Sequence, residues 1–311
     1  MEPIKEKTGD AYRHDLQELY EEGSSKQWVF DEELFNFSNG ILNEPACVPK
    51  LYRYSPADYW NTRNLETGQL CLTPISKLND AMEGLATLNQ PAAELPPDFG
   101  FVKCFSESGT DPLMWGRYAD NAKGMCVKYD VTRLTKDESK ILRFLFPVVY
   151  TNKRYSHGDP RRIRKELKRY YRDVENGDCI TAEEYFFLQD ILPLLLVKGK
   201  SWEYEKEWRI AIDVLSKEKY CNELYENKAL EQLSDIWGDN LVGFDCVSAV
   251  YLGVRMPISV KIHIEDIVQR KNGEKEPNAI QLFEMKFKPD TFELEPIPVE
   301  PGEIRKRRKE S

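Results

Sequence analysis

Glu203, Glu205 and Glu207 recur at every second position within Ser201-Trp202-Glu203-Tyr204-Glu205-Lys206-Glu207-Trp208-Arg209. In an extended backbone that period puts the carboxylates on one face and Trp202, Tyr204 and Trp208 on the other. Carboxylates two residues apart on a strand lie about 7 Å from each other. Like charges at that spacing repel, so a strand that collects them needs cations to offset them. Lys206 and Arg209 are close in sequence, and pairing with them would make a solvated edge strand. The alternative is a site whose acids hold a cationic or hydroxyl-bearing ligand. Apolar Ile210-Ala211-Ile212 follows directly, which sets the acids at the mouth of a strand.

Other residues with chemical potential are weaker signals. Asn79-Asp80-x-x-Glu83 reads first as a turn, with Asn-Asp as the turn pair and Glu83 as a cap. The same residues are candidates to ligate a divalent cation or touch a ribose. Ser106-Glu107-Ser108-Gly109 lacks the Gly-x-Ser-x-Gly pattern and has no histidine nearby, which argues against a serine hydrolase. His14, His157 and His263 are far apart, and the seven cysteines include no Cys-x-x-Cys pair, so no zinc site is expected. No glycine-rich phosphate loop is present, so any dinucleotide site would be of a non-Rossmann kind.

The elements that must position these residues follow from local patterns. Strands are expected near Leu51–Tyr54, Gln69–Thr73, Phe101–Ser106, Gly124–Asp130, Phe146–Tyr150, Arg209–Val214, Ala249–Gly253 and Ile280–Lys288. Asp58 caps a short helix, as does Asp111 with Pro112 at the first helical position. Asp31 reads as another helix start. Residues 91–100 read as a proline-rich loop. Helices are expected over the basic run 153–172, over Thr181–Lys198 behind a Thr181-x-x-Glu184 capping box, and over Ser259–Gln269. Short strands mixed irregularly with helices predict an α+β fold with a mixed, largely antiparallel sheet and flanking helices. The organisation expected is a polar helical appendage over 1–45, one α+β domain over 46–295 with a helical insertion about 153–200, and a disordered basic tail over 296–311.

Charge and composition narrow the function. The chain has 311 residues, 41% of them hydrophobic and 12% aromatic, enough for a substantial core. Its net charge of −9 argues against non-specific nucleic-acid binding by the whole surface. The run 153–172 nevertheless carries nine basic residues against two acids, a local +7 that leaves −16 elsewhere. Such a helix is either a solvated face or a guide for a nucleic acid or an acidic protein. Scattered, unpaired cysteines fit reduced thiols and a cytoplasmic location. No apolar stretch suits a secretory leader near Met1, and no run is long enough to span a membrane.

Several blocks occur together and in order: Leu51-Tyr52-Arg53-Tyr54, Asn79-Asp80-x-x-Glu83, Cys104-Phe105-Ser106-Glu107, Met114-Trp115-x-x-Tyr118-Ala119-Asp120 and Glu205-Lys206-Glu207-Trp208-Arg209. As a set they resemble the signature blocks of a bacterial family with a domain of unknown function, over roughly residues 50 to 255. Ala81 departs from the proline usual there. More distantly, the order Arg53, Ser106, Glu205-x-Glu207 resembles ADP-ribosyltransferases of the arginine–serine–glutamate class. That resemblance implies an ADP-ribosyltransferase-like fold, NAD as substrate and a defence or toxin setting. It implies Glu207 as the catalytic carboxylate, Glu205 as the group that positions the acceptor, and Ser106 as the residue that orients Glu207. Arg53 would grip the pyrophosphate, an arginine's fork being suited to it. Asn79 would meet the ribose, and Tyr52, Tyr54 and Trp115 the nicotinamide. Two other readings stay open. One is a metal-dependent nuclease using Asp80, Glu83, Glu205 and Glu207. The other is a non-catalytic binding module.

Overall fold

The computed structural model describes residues 9–22, 37, 40–41, 43–80, 100–152, 194–213, 241–274 and 279–310. The expected helix start at Asp31, the loop 91–99, Glu83, the basic run 153–172 and the capping box at Thr181 lie outside them. In chain order the first regular elements are α1 (Gly9–Glu22), β1 (Leu51–Ser55), α2 (Tyr59–Thr67), β2 (Gln69–Cys71), β3 (Thr73–Pro74) and β4 (Gly100–Ser106). Then come α3 (Pro112–Tyr118), β5 (Met125–Tyr129), β6 (Leu145–Pro147), β7 (Val149–Thr151), β8 (Val197–Gly199) and β9 (Glu207–Asp213). The last are β10 (Leu241–Gly243), β11 (Val247–Leu252), α4 (Ile258–Glu274), β12 (Gln281–Phe287), β13 (Leu294–Pro298) and α5 (Glu303–Glu310). The fold is α+β, and its described strand pairs are antiparallel except β11 with β12 and β7 with β8.

The chain forms two compact units, residues 1–48, 71–104 and 140–242 in the first, and 49–70, 105–139 and 243–311 in the second. In the first, α1 places Tyr12, Leu16 and Tyr20 four residues apart on one stripe, and all three are buried. The ring of Tyr12 meets Trp208 of β9 edge-on, with centroids 5.5 Å apart. The helix expected as a polar appendage thus contributes to a core. β9 pairs with β6 through Leu145↔Ile210 and Pro147↔Trp208, and on its other side runs beside β4. It is therefore an interior strand, which accounts for the burial of Trp208 through Ile212.

In the second unit β5 lies between β1 and β11, antiparallel to both. β11 runs parallel to β12, a pairing that needs a crossover, and α4 supplies it. The expected caps form: the Asp58 carboxylate accepts from the Asn61 amide, and that of Asp111 accepts from Leu113 and Met114. Gly68 closes α2 at φ 69°, a left-handed conformation suited to glycine.

Three expectations are overturned. Residues Lys200–Glu205 form a 3-10 helix rather than a strand, and Lys206 at φ 42° ends it, so extended backbone begins only at Glu207. Glu203 is exposed while Glu205 and Glu207 are buried, so the three acids do not share a face. Lys198, expected at the end of a helix, sits in β8. The tail expected to be disordered instead forms β13 and α5. Arg305 pairs with Asp266, and Arg307 lies 2.5 Å from Glu284. Carboxylates distant in sequence therefore hold Arg305 and Arg307.

Candidate functional site: a buried four-charge network

Within the first unit, two acids and two cations close on one another at the start of β9. The left-handed Lys206 turns the chain out of the 3-10 helix, so that Glu205 and Glu207 both point inward while Lys206 stays exposed. The Lys198 ammonium lies 2.7 Å from Glu205 Oε2 and 3.1 Å from Glu207 Oε2. Arg209, two residues along the same strand and so on the same face, donates from Nε to Glu207 Oε1 (2.8 Å) and from Nη2 to Glu207 Oε2 (3.1 Å). Its Nη1 donates to the Leu195 carbonyl at 2.6 Å. All four side chains are at most 5% exposed.

The surroundings fix the network. The Glu207 amide donates to the Tyr150 hydroxyl at 2.8 Å, and its carbonyl accepts from the Val148 amide at 2.9 Å. Trp202, half-buried, covers Lys198, whose Nζ is 4.6 Å from the ring centroid, and the ring is stacked with Tyr204. Burial alone would raise the Glu207 carboxyl, but Arg209 and Lys198 outweigh it, and a Cys104 hydrogen bond adds to them. Glu207 is held well below the usual carboxylate range. The Tyr150 hydroxyl moves the other way, raised by burial and by the Glu207 charge.

This arrangement permits some chemistry and disfavours other kinds. Glu207 is a fixed anion, fit to stabilise positive charge or accept a hydrogen bond and unfit to donate a proton near neutrality. Lys198 and Arg209 already engage both oxygens of Glu207 and one of Glu205, which leaves few ligand atoms for a divalent ion there. Among the described residues, the cluster with metal-ligand spacing is His14, Asp15 and Glu18 on α1, which shares no residue with the nuclease set.

The remaining expected site residues are placed as follows. Asn79 is exposed in the first unit, just after the 3-10 turn Ile75–Lys77. Arg53, Tyr52, Ser106 and Trp115 belong to the second unit. There Arg53 is half-buried and donates to Asn61 Oδ1 at 3.0 Å. Tyr52 is half-buried, with its ring 6.1 Å from that of Tyr251. Ser106 is buried, pairs with Tyr52 across β4 and β1, and its hydroxyl accepts from the Ser108 amide. Trp115 is buried, donates to the Gly109 carbonyl and meets Tyr54 edge-on at 5.4 Å. Tyr54 in turn donates to the Ser108 carbonyl at 2.8 Å. Tyr54 and Trp115 thus each donate a hydrogen bond to a carbonyl of the turn 106–109.

Sequence reasoning missed Lys198, Tyr150 and Cys104. Lys198 left a signal, a lone cation closing the apolar run Leu194-Leu195-Leu196-Val197, where only a buried partner makes burial tolerable. Tyr150 and Cys104 left none, because each reaches Glu207 from another strand.

Comparison with known proteins adds one relation. Residues 114–210, about a third of the chain, match a family model described as a protein of unknown function (DUF2971). The matched segment includes Tyr150, Lys198, Glu205, Glu207 and Arg209. No curated protein and no solved structure matches the chain.

Proposed function

We propose that this protein cleaves NAD, transferring ADP-ribose to an acceptor or to water, with Glu207 as the carboxylate that stabilises the reacting sugar. The observation that carries the reading is Glu207 itself, the first residue of β9, held ionised by Arg209 and Lys198. Breaking the bond between ribose C1′ and the nicotinamide nitrogen sends the electron pair to nicotinamide and leaves an oxocarbenium-like sugar. A fixed anion lowers the energy of that species without any proton transfer by the protein. The acceptor's oxygen or nitrogen then bonds to C1′ and gives up a proton. The resemblance to arginine–serine–glutamate ADP-ribosyltransferases supplies the other roles. Arg53 takes the pyrophosphate, Glu205 faces the acceptor, and Ser106 is the middle-strand serine of that pattern. Asn79, Tyr52 and Trp115 complete the set. Glu207 is 4% exposed, so this reading requires the cover formed by Trp202 and the segment Lys200–Glu205 to open for substrate. The acceptor is a nucleic acid or a protein drawn by the basic run 153–172, and a cytoplasmic setting suits the substrate.

A second reading, a non-catalytic binding module, is favoured by the same burial: both acids already have cationic partners inside the fold. Calorimetric titration with NAD, magnesium and manganese, together with an assay of nicotinamide release, separates the readings, since a binding module that takes up NAD does not turn it over. The NAD-cleaving reading expects saturable NAD binding that Arg53→Lys weakens, because the bidentate fork is lost. Binding of the divalent ions alone, with none of NAD, contradicts it.

A further inference from the structure

We propose that the sheet edge formed by β13 in the second unit is a docking surface for an arginine-rich segment of a partner protein, independent of the NAD reading. β13 ends the sheet and pairs with β12 on one side. The register fixes which of its backbone groups face outward. The Lys288 amide donates to the Glu293 carbonyl at one end of the pair, and the Val299 amide to the Leu282 carbonyl at the other. Because hydrogen-bonded pairs alternate along an antiparallel ladder, Glu295 and Ile297 turn their backbone groups toward β12, while Leu294, Pro296 and Pro298 turn theirs away. Proline has no N–H to offer. The outward edge therefore presents three carbonyls, of Leu294, Pro296 and Pro298, and the one amide of Leu294. Among the described residues these carbonyls have no donor. An incoming strand needs donors and acceptors in alternation, so the edge does not suit strand addition. It suits a partner whose groups only donate.

Charge and apolar exposure narrow the partner. From Pro289 to Glu303 the chain carries five acids and no lysine or arginine. Glu293 pairs with Lys288 and Glu303 with Arg307, but Asp290, Glu295 and Glu300 make no salt bridge among the described residues. Phe287, 64% exposed, stands on the same face as the exposed Pro296 and Pro298, because Phe287, Met285 and Phe283 lie opposite Leu294, Pro296 and Pro298. Phe292, in the turn between the two strands, is fully exposed. A guanidinium matches all of these features. It donates and never accepts, its fork fits carboxylates, and its flat face stacks on aromatic rings. The ammonium of lysine has the charge without the flat face. The acids would repel a nucleic acid or an anionic membrane.

Titration of the full chain with a blocked peptide of alternating arginine and alanine, and with a lysine–alanine peptide of the same length, tests the surface. The arginine peptide is expected to bind saturably and more tightly than the lysine peptide. Combining Asp290→Asn, Glu295→Gln and Glu300→Gln should weaken it by about tenfold, the loss expected when exposed ion pairs are removed together. Asp10→Asn, Glu18→Gln and Asp137→Asn take the same charge from exposed positions elsewhere, and that variant should stay within about twofold of the parent because distant charges are screened. Absence of saturable binding by the parent, equal affinity for the two peptides, or an equal loss in both variants overturns the proposal. Self-association of the parent that the edge substitutions abolish, with no peptide bound, also overturns it and assigns the edge to a second copy of the chain.

Discussion

Glu207 is decided by a competition between two large terms. Taking a carboxylate out of water costs several kcal/mol, and two cations within 3.1 Å repay it. The balance holds only while every member is present. Glu207→Gln should therefore cost about 3–5 kcal/mol at neutral pH, since it leaves Arg209 buried without a countercharge. The pH dependence has a definite sign. The folded carboxyl titrates below its unfolded value, so its stabilisation is complete above the unfolded pKa, about 4.3, and is lost as pH falls from about 5 toward the depressed value. Urea unfolding of both proteins between pH 7 and pH 3 checks this. The parent should lose stability across the acid range more steeply than Glu207→Gln, and parallel profiles would remove the electrostatic account.

At the scale of elements, backbone conformation explains what side-chain pattern alone does not. Asp120, Asn121 and Ala122 all have positive φ, at 48°, 52° and 63°. Aspartate and asparagine tolerate that region, while alanine pays about 1 kcal/mol or more. The turn is kept because the Ala122 carbonyl accepts from the Arg255 amide and the Gly124 carbonyl from Gly253. Gly253 cannot carry a side chain, since a Cβ there would stand 2.3 Å from the Ala122 oxygen. Thermal unfolding should show Ala122→Gly gaining about 0.4–1 kcal/mol and Gly253→Ala losing more than that. The opposite order would mean that the turn is not under strain. The caps at Asp58 and Asp111 were legible in sequence because a capping oxygen finds its amide within three residues. The 3-10 helix Lys200–Glu205 was not legible. Its acids alternate as they would on a strand, and only the left-handed Lys206 brings Glu205 and Glu207 to the same interior. Lys198 was obscured for the same reason, since its pairing with Glu207 spans that unpredicted turn.

For the whole molecule, uneven charge is the property most open to functional use. The described part of the tail run is largely spoken for: Arg305 and Arg307 are paired with Asp266, Glu284 and Glu303. The run 153–172 holds the larger excess, a local +7 in a chain of −9. If it guides a nucleic-acid acceptor, replacing Arg161, Arg162, Arg164 and Lys165 with glutamine should weaken RNA or DNA binding. The salt dependence should flatten by about one per lost phosphate contact. Titrations at several salt concentrations read this directly, and a parent chain that binds neither polymer points to a protein acceptor. The α+β class and the dominance of antiparallel pairing were legible because strand length and spacing carry them. The division into two units was not, since each is assembled from three separated stretches of chain. The central claim, that Glu207 serves NAD cleavage, is tested most directly by measuring nicotinamide release from NAD by the intact chain and by Glu207→Gln, at a temperature where both are folded. Release by the parent and its loss in the variant is the predicted result. Equal release by both, or none by the parent in the presence of its acceptor candidates, would contradict it.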